Sequence, residues 1–182
     1  MNSGASVLIV DDEPAVRDLL ARWVTSMGMQ PTTASNAEEA LTRLRAHHHD
    51  LAVIDVMMPG KNGIWLAAEL RRDHPDTAVV MATGYTEFLK SAGPETPMAD
   101  LLAKPFRRER FVLAVDRGCA WQRRAVAELE WHAKLDGELR ERVKLIRQAL
   151  SDERARGIDE ESTLLAIARE RIPEVVAHSE RV

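Results

Sequence analysis

The sequence lacks several features that mark secreted and membrane-bound proteins. It has 1 cysteine among 182 residues, which excludes an internal disulfide and favours a cytoplasmic location. No apolar run approaches the roughly 18 residues of a membrane span. The N-terminus, MNSGASVLIVDDE, also lacks the basic region and apolar core of a secretion signal. Neither secretion nor membrane insertion is therefore expected.

The chain also lacks the basic excess typical of proteins that bind nucleic acid through charge. Its formal net charge is -4, and residues 119–182 hold 12 Lys and Arg against 13 Asp and Glu. Because non-specific affinity for DNA depends on positive charge, binding to nucleic acid is not favoured.

The first two-thirds of the chain alternates short apolar runs with helical periodicity, which is typical of a doubly wound parallel sheet. Helices are predicted from Pro14 to Gly28, after Asn36, around Ala67, near residues 86–92 and from Arg107. Pro31 restricts the second predicted strand to a sheet edge. The pattern predicts an α/β fold with five strands, at residues 7–10, 29–34, 51–54, 78–82 and 100–103.

Strand signals stop after Cys119, so we predict one α/β domain of ordinary size over residues 1–118 and an all-helical extension over residues 119–182. The helix from Arg107 is expected to continue to about residue 135 and to break at Asp136-Gly137. Two apolar seams, at residues 139–150 and 165–175, predict a helical hairpin with its turn near residues 155–161. Such an extension suits dimerisation or docking to a protein partner.

Polar side chains follow four of the predicted strands. Because parallel strands end at one edge of a sheet, these residues should converge there; they are Asp11, Asp12, Asp55, Thr83 and Lys104. Converging carboxylates repel one another unless cations compensate. Mg²⁺ and the Lys104 ammonium would supply that compensation. A carboxylate nucleophile in such surroundings suits phosphoryl transfer.

These motifs resemble the receiver domains of two-component response regulators over residues 5 to about 118. The resemblance rests on Asp11-Asp12, Asp55 followed by Met58-Pro59 and Gly63, the ATG sequence that contains Thr83, and Lys104-Pro105-Phe106. It implies a flavodoxin-like strand order of 2-1-3-4-5.

The resemblance also implies a role for each site residue. Asp55 would accept the phosphoryl group, and Asp11, Asp12, Asp55 and the Met57 backbone carbonyl would bind Mg²⁺. Lys104 would contact the phosphoryl group, and Thr83 would reorient to hold it. The bond before Pro105 is expected to be cis.

Two departures from the family pattern concern the conformational change that phosphorylation would cause. Leu101 stands where an aromatic residue usually couples to the threonine, and Tyr85 could partly replace that ring. Pro94 and Pro97 predict a short or irregular helix before the fifth strand. Met57 and Tyr85 are also expected to slow the access of water to the phosphoryl group.

The sequence therefore predicts a response regulator that a sensor histidine kinase phosphorylates. Its only catalysis would be self-phosphorylation from a phosphodonor and autodephosphorylation. A homodimer that signals through the helical extension to a protein target is favoured. The alternatives are a DNA-binding transcriptional regulator, a phosphorelay or scaffold receiver without its own output, and a receiver that no longer accepts phosphate.

Histidines outside these motifs are not expected to bind metal. His47, His48 and His49 are predicted to lie at a solvated helix end. His132 lacks the neighbouring residues of a phosphorelay histidine. Trp121 and Trp131 favour contact with a partner chain over capping of the extension's seams.

Overall fold

A computed structural model describes residues 4–84 and 98–154. Its single sheet has five parallel strands in the order β2-β1-β3-β4-β5, which confirms the predicted fold class. The strands are β1 (Ser6–Val10), β2 (Gln30–Ala34), β3 (Leu51–Asp55), β4 (Ala78–Thr83) and β5 (Asp100–Ala103). The helices are α1 (Pro14–Ser26), α2 (Ala37–Ala46), α3 (Gly63–Asp73) and α4 (Arg108–Arg154). The helix predicted near residues 86–92 lies outside the described residues.

The sheet carries a hydrophobic core on each face. In β1, Leu8 and Val10 belong to one cluster with residues of α2 and α3, whereas Val7 and Ile9 belong to the other with residues of α1 and α4. Every residue of β3 and β4 is buried, as continuous apolar runs in a doubly covered parallel sheet require.

Local signals predicted from the sequence account for the first two helices. Pro14 lies in the first turn of α1, and Gly28 follows its end with a φ of 76°. Asn36 caps α2 by accepting a 2.9 Å hydrogen bond from the Glu39 amide. The Glu39 carboxylate accepts in turn from the Ser35 amide, one residue earlier than in the usual capping box. β2 lies at the edge of the sheet, where Pro31, which has no backbone N–H to donate, is tolerated.

The predicted break at Asp136-Gly137 is wrong, because α4 continues without interruption to Arg154. One glycine inside a helix costs only about 1 kcal/mol relative to alanine, and good helix formers lie on both sides of it. Two compact units are distinguished, the first ending at Leu129 and the second beginning at Glu130. The predicted boundary after residue 118 falls inside α4, and the predicted hairpin turn lies outside the described residues. No helix in the described part of the chain is long and apolar enough to cross a membrane.

The expectation that all three consecutive histidines are solvated is also wrong. His47 and His48 are exposed, and His48 Nε2 lies 2.9 Å from an Asp76 carboxylate oxygen. His49 is buried, and neither of its ring nitrogens has a hydrogen-bond partner within the described residues. The helix stops at Ala46, so the chain turns inward before β3 and carries His49 with it.

Burial lowers the pKa of the His49 imidazole below its ordinary value. Because the folded pKa lies below the unfolded one, the unfolded state binds more protons in acid. We expect the free energy of unfolding to be undiminished by this group above about pH 6.5 and to fall as the pH decreases below that value. Denaturant unfolding at several pH values should show a shallower acid decline for His49→Leu than for the parent. The exposed His47→Gln variant should keep the parental slope, and an unchanged slope in His49→Leu would contradict the prediction.

Candidate functional site

Parallel strands bring the predicted site residues to one edge of the sheet. Asp11 follows β1 directly, Asp55 ends β3, Thr83 ends β4 and Lys104 follows β5. The register places Asp55 beside Ala82 and Thr83 beside Ala103. Rigid strands therefore present these side chains together, as the sequence predicted.

The ammonium group of Lys104 joins two carboxylates at this edge. Its Nζ donates to Asp11 Oδ2 at 2.6 Å and to Asp55 Oδ2 at 3.0 Å. Both aspartates are buried, and Lys104 is largely covered. Ion pairs this deep are stable only when their geometry and hydrogen bonds are complete.

The electrostatics of the site favour the ionised lysine and disfavour a lone ionised Asp55. Burial raises the pKa of Asp55 above its ordinary value, and the negative charge of Asp11 adds to this rise, although Lys104 and the Met57 amide oppose it. Burial lowers the pKa of Lys104, but the hydrogen bonds and charges of Asp11 and Asp55 outweigh it and raise that pKa overall. A second cation at the site would make ionisation of Asp55 easier.

The donor set fits a hard divalent cation. One carboxylate oxygen from each of Asp11, Asp12 and Asp55 can be chosen so that all three lie within 4.8 Å of one another. Asp12 is exposed, which leaves the cluster open to solvent on one side. Mg²⁺ prefers one or two carboxylates with water and phosphate oxygens completing its shell. These residues therefore fit the predicted Mg²⁺ site.

Backbone hydrogen bonds hold the aspartates in place. The Glu13 amide donates to Asp11 Oδ1 at 3.0 Å, and the Met57 amide donates to Asp55 Oδ1 at 3.2 Å. Arg17, which the sequence reading did not single out, donates from Nη1 to the Asp11 carbonyl oxygen at 2.6 Å. The only sequence signal for this contact was the position of Arg17 in the first turn of α1, shortly after Asp11-Asp12-Glu13.

The loop from β3 to α3 passes close beneath Asp55. Gly63 begins α3 and donates its amide to the Val56 carbonyl at 3.0 Å. A Cβ atom at Gly63 would collide with the Asp55 backbone carbonyl oxygen. Gly60 supplies a positive φ of 77° in the same loop. The Met58 side chain is buried, whereas the Met57 side chain is 60% exposed.

Of the predicted switch residues, all but one lie in the described part of the chain. The Thr83 side chain is fully buried, and Leu101 is half-buried opposite Met81, packed on the core. The bond between Lys104 and Pro105 is cis, as expected. Tyr85 lies outside the described residues.

The sequence did not predict an ion pair between β5 and α4. Arg110 of α4 donates twice to the Asp100 carboxylate, at 2.8 Å each, and once to the Leu101 carbonyl at 2.7 Å. Arg117 adds a contact at 3.3 Å. Burial raises the pKa of Asp100, but Arg110 outweighs it and lowers that pKa overall. The paired groups lie ten residues apart in sequence, so only the packing of α4 against β5 brings them together.

The family comparison agrees with this geometry. The model of the response regulator receiver domain matches residues 7–116. This chain belongs to the receiver domain family. The match ends inside α4 and does not cover the rest of that helix.

Similar curated proteins include a probable transcriptional regulator, ycf27, of Porphyra purpurea, 38% identical over 106 residues, which are 58% of this chain and 43% of that protein. The positive alginate biosynthesis regulatory protein of Pseudomonas aeruginosa is 36% identical over 68% of this chain and 51% of its own length. This receiver chain therefore spans about half the length of the curated relatives it matches.

A solved structure with the same fold is the response regulator TrrA of Thermotoga maritima in complex with Mg²⁺ and BeF. It is 30% identical, and the alignment covers 63% of this chain and 98% of that one with a TM-score of 0.58. The receiver domain of NtrX from Brucella abortus is 31% identical over the same shares, again with a TM-score of 0.58. The first is described as a response regulator and the second as a receiver domain.

We expect Gly63→Ala to destabilise the receiver domain strongly, because backbone rather than a flexible side chain blocks the added Cβ. The cost should be at least about 2 kcal/mol, in the range of overpacked cores. The matched control is Gly137→Ala in α4, where an added Cβ meets nothing within 4 Å. It should stabilise the helix by up to about 1 kcal/mol. Unfolding in denaturant, followed by circular dichroism, measures both, and equal effects would contradict the prediction.

Proposed function

We propose that this chain is a phosphorylation-controlled response regulator whose Asp55 accepts a phosphoryl group from a sensor histidine kinase. The observation that carries the proposal is the Asp55 carboxylate, held at the sheet edge by a 3.0 Å hydrogen bond from Lys104, which also binds Asp11. An Asp55 oxygen would attack the phosphorus of the kinase's phosphohistidine. The new P–O bond forms as the P–N bond breaks, and the histidine nitrogen leaves.

The neighbouring residues would support this transfer by neutralising charge. Asp11, Asp12, Asp55 and the Met57 backbone carbonyl would hold Mg²⁺, which supplies positive charge next to the transferring phosphoryl oxygens. Lys104 would donate to a phosphoryl oxygen once the group is attached. Thr83 ends the adjacent strand and would supply a hydroxyl donor. No separate catalytic domain is needed, since autodephosphorylation requires only a water molecule at the same site.

The signal would leave the site through β5 and α4. A phosphorylated Asp55 draws Lys104 and Thr83 toward it and shifts a two-state equilibrium of the domain. Leu101 cannot provide an aromatic rotamer, but the two hydrogen bonds from Arg110 to the Asp100 carboxylate connect β5 directly to α4. A change in β5 would thereby reach the helix that forms the extension.

The output in this proposal is the helical extension, acting in the cytoplasm by dimerisation and by binding a protein target. Transcriptional regulation is the second candidate, because the similar proteins include transcriptional regulators by name. The balanced charge of residues 119–182 favours a protein target over DNA. A steep dependence of duplex binding on salt concentration would favour the second candidate.

The first test is uptake of phosphate. With Mg²⁺ and a small-molecule phosphodonor such as acetyl phosphate, intact-mass spectrometry should show the addition of one phosphoryl group to the parent and none to Asp55→Ala. Lys104→Met should also reduce uptake by at least about tenfold, since a charge-assisted contact is lost. Circular dichroism controls for folding of both variants. A parent that takes up no phosphate, or an Asp55→Ala chain that does, would refute the proposal.

A second test concerns the lifetime of the phosphoryl group. The exposed Met57 side chain follows Asp55 by two residues and would limit the access of water. Met57→Asn should therefore shorten the half-life of the aspartyl phosphate by at least about threefold, which lowers the barrier by at least about 0.6 kcal/mol. Loss of ³²P from purified phosphoprotein measures it, with Met27→Asn as a distant control. Equal half-lives for the parent and Met57→Asn would show that Met57 has no such role.

A further inference from the structure

The part of α4 in the second unit carries a row of exposed apolar side chains. Trp131, Leu135, Leu139 and Val143 recur every four residues and are 63%, 42%, 50% and 45% exposed. On a helix this spacing places neighbours one turn apart on one face. A contiguous apolar row of this kind marks an interaction surface more often than a solvated face. We call these four residues the α4 row.

Charge along this part of the helix reverses sign at Leu139. Residues 130–138 contain three acidic side chains and one basic, whereas residues 140–147 contain four basic side chains and one acidic. The helix segment is therefore negative on one side of Leu139 and positive on the other. Such a pattern is complementary to itself only when a second copy runs in the opposite direction.

We propose that the α4 row pairs with the α4 row of a second copy of this chain, in an antiparallel arrangement with Leu139 at the two-fold axis. This deepens the dimerisation in the proposed function by naming the surface, the orientation and the register. In a parallel pair the acidic segments would face each other and the basic segments would do the same, which like-charge repulsion disfavours. A two-fold pair uses one self-complementary patch on both copies.

The register follows from the position of the axis. Leu139 would contact Leu139 of the second copy, and Leu135 would lie across from Val143 of the second copy, because each is four residues from the axis. The Leu135–Val143 contact occurs twice in the dimer by symmetry, whereas the Leu139–Leu139 contact lies on the axis and occurs once. The result is a continuous apolar seam along about one turn on either side of the axis.

Charged residues border this seam on both sides. By the 100° turn per residue of an α-helix, Asp136 and Arg140 lie along one side of Leu139, and Glu138 and Arg142 along the other. In the antiparallel pair Asp136 faces Arg140 of the second copy, and Glu138 faces Arg142 of the second copy. All four side chains are exposed.

The same residues are also four apart within one helix, where such pairs add modest stability. Within the described part of the chain, however, no ion pair joins Asp136 to Arg140 or Glu138 to Arg142. If these charges act only within one helix, mixing two chains with opposite charge reversals restores nothing. If they pair between two copies, the mixture regains dimers, and this difference makes the proposal testable.

The test uses full-length chains in sedimentation velocity and equilibrium runs at low salt. The parent should dimerise, whereas Glu138→Arg alone and Arg142→Glu alone should each raise the dissociation constant at least tenfold, because four like charges meet around the axis. An equimolar mixture of the two variants should regain dimers, since each arginine then faces a glutamate. Glu141→Arg is the control, with the same change of charge on the opposite face of the helix, and it should leave the parental constant within threefold.

Two further measurements test the antiparallel orientation and the use of the α4 row separately. Chains with Leu135→Cys and with Val143→Cys, mixed and mildly oxidised, should form the mixed disulfide in excess over either self-linked product, whereas a parallel pair would give the self-linked products. Leu139→Lys should abolish dimers, and Leu145→Lys, which is equally apolar and exposed but lies off the row, should not. Circular dichroism checks that each variant keeps its helix.

Several outcomes would overturn the inference. These are a monomeric parent, a Leu139→Lys chain that still dimerises, a charge-swap mixture that stays monomeric, or an excess of self-linked disulfides. A fold-back of residues 155–182 or a different protein partner on the same face would give the first of these. Repeating the runs with Asp55→Ala separates this inference from the phosphorylation proposal: dimers that persist there support the pairing whatever the fate of the phosphoryl group.

Discussion

The contact on which the site depends is the Lys104 ammonium placed between the carboxylates of Asp11 and Asp55. Two buried negative charges at one sheet edge repel each other, and this repulsion adds to the burial that raises the pKa of Asp55. One lysine at hydrogen-bond distance from both neutralises only one of these two charges, and Asp12 increases the remaining excess of negative charge. That excess is what makes the edge suited to a divalent cation and, with it, to a phosphoryl group.

The surrounding fold is arranged so that this contact can form. β1 and β3 pair side by side and almost all of their residues are buried, so Asp11 and Asp55 extend from two inner strands of the sheet. β5 lies two strands away from β3, and the Lys104 side chain spans that distance to reach both aspartates. Gly63 lets α3 start directly beneath Asp55, which ties the loop after β3 to the sheet. The site is therefore a property of strand order as much as of residue identity.

Where prediction failed, the cause was burial, helix energetics or a long-range contact that sequence spacing does not show. His49 follows two exposed histidines and resembles them in sequence, but the chain turns inward there and buries its ring. Gly137 reads as a helix stop, but its local cost is small beside the many helical residues around it. The ion pair between Asp100 and Arg110 forms only when β5 and α4 pack together.

The sequence by itself determined the five-strand pattern, the edge position of β2 and the convergence of Asp11, Asp55, Thr83 and Lys104, because hydrophobic period and parallel strand ends are local, directional properties. It also determined the charge reversal at Leu139, which is a matter of composition along one helix. Only the tertiary structure decided that Lys104 binds both aspartates, that Arg110 joins β5 to α4, and that His49 is buried. Those outcomes depend on distances between segments far apart in the chain, and such distances exist only once the sheet and helices have packed.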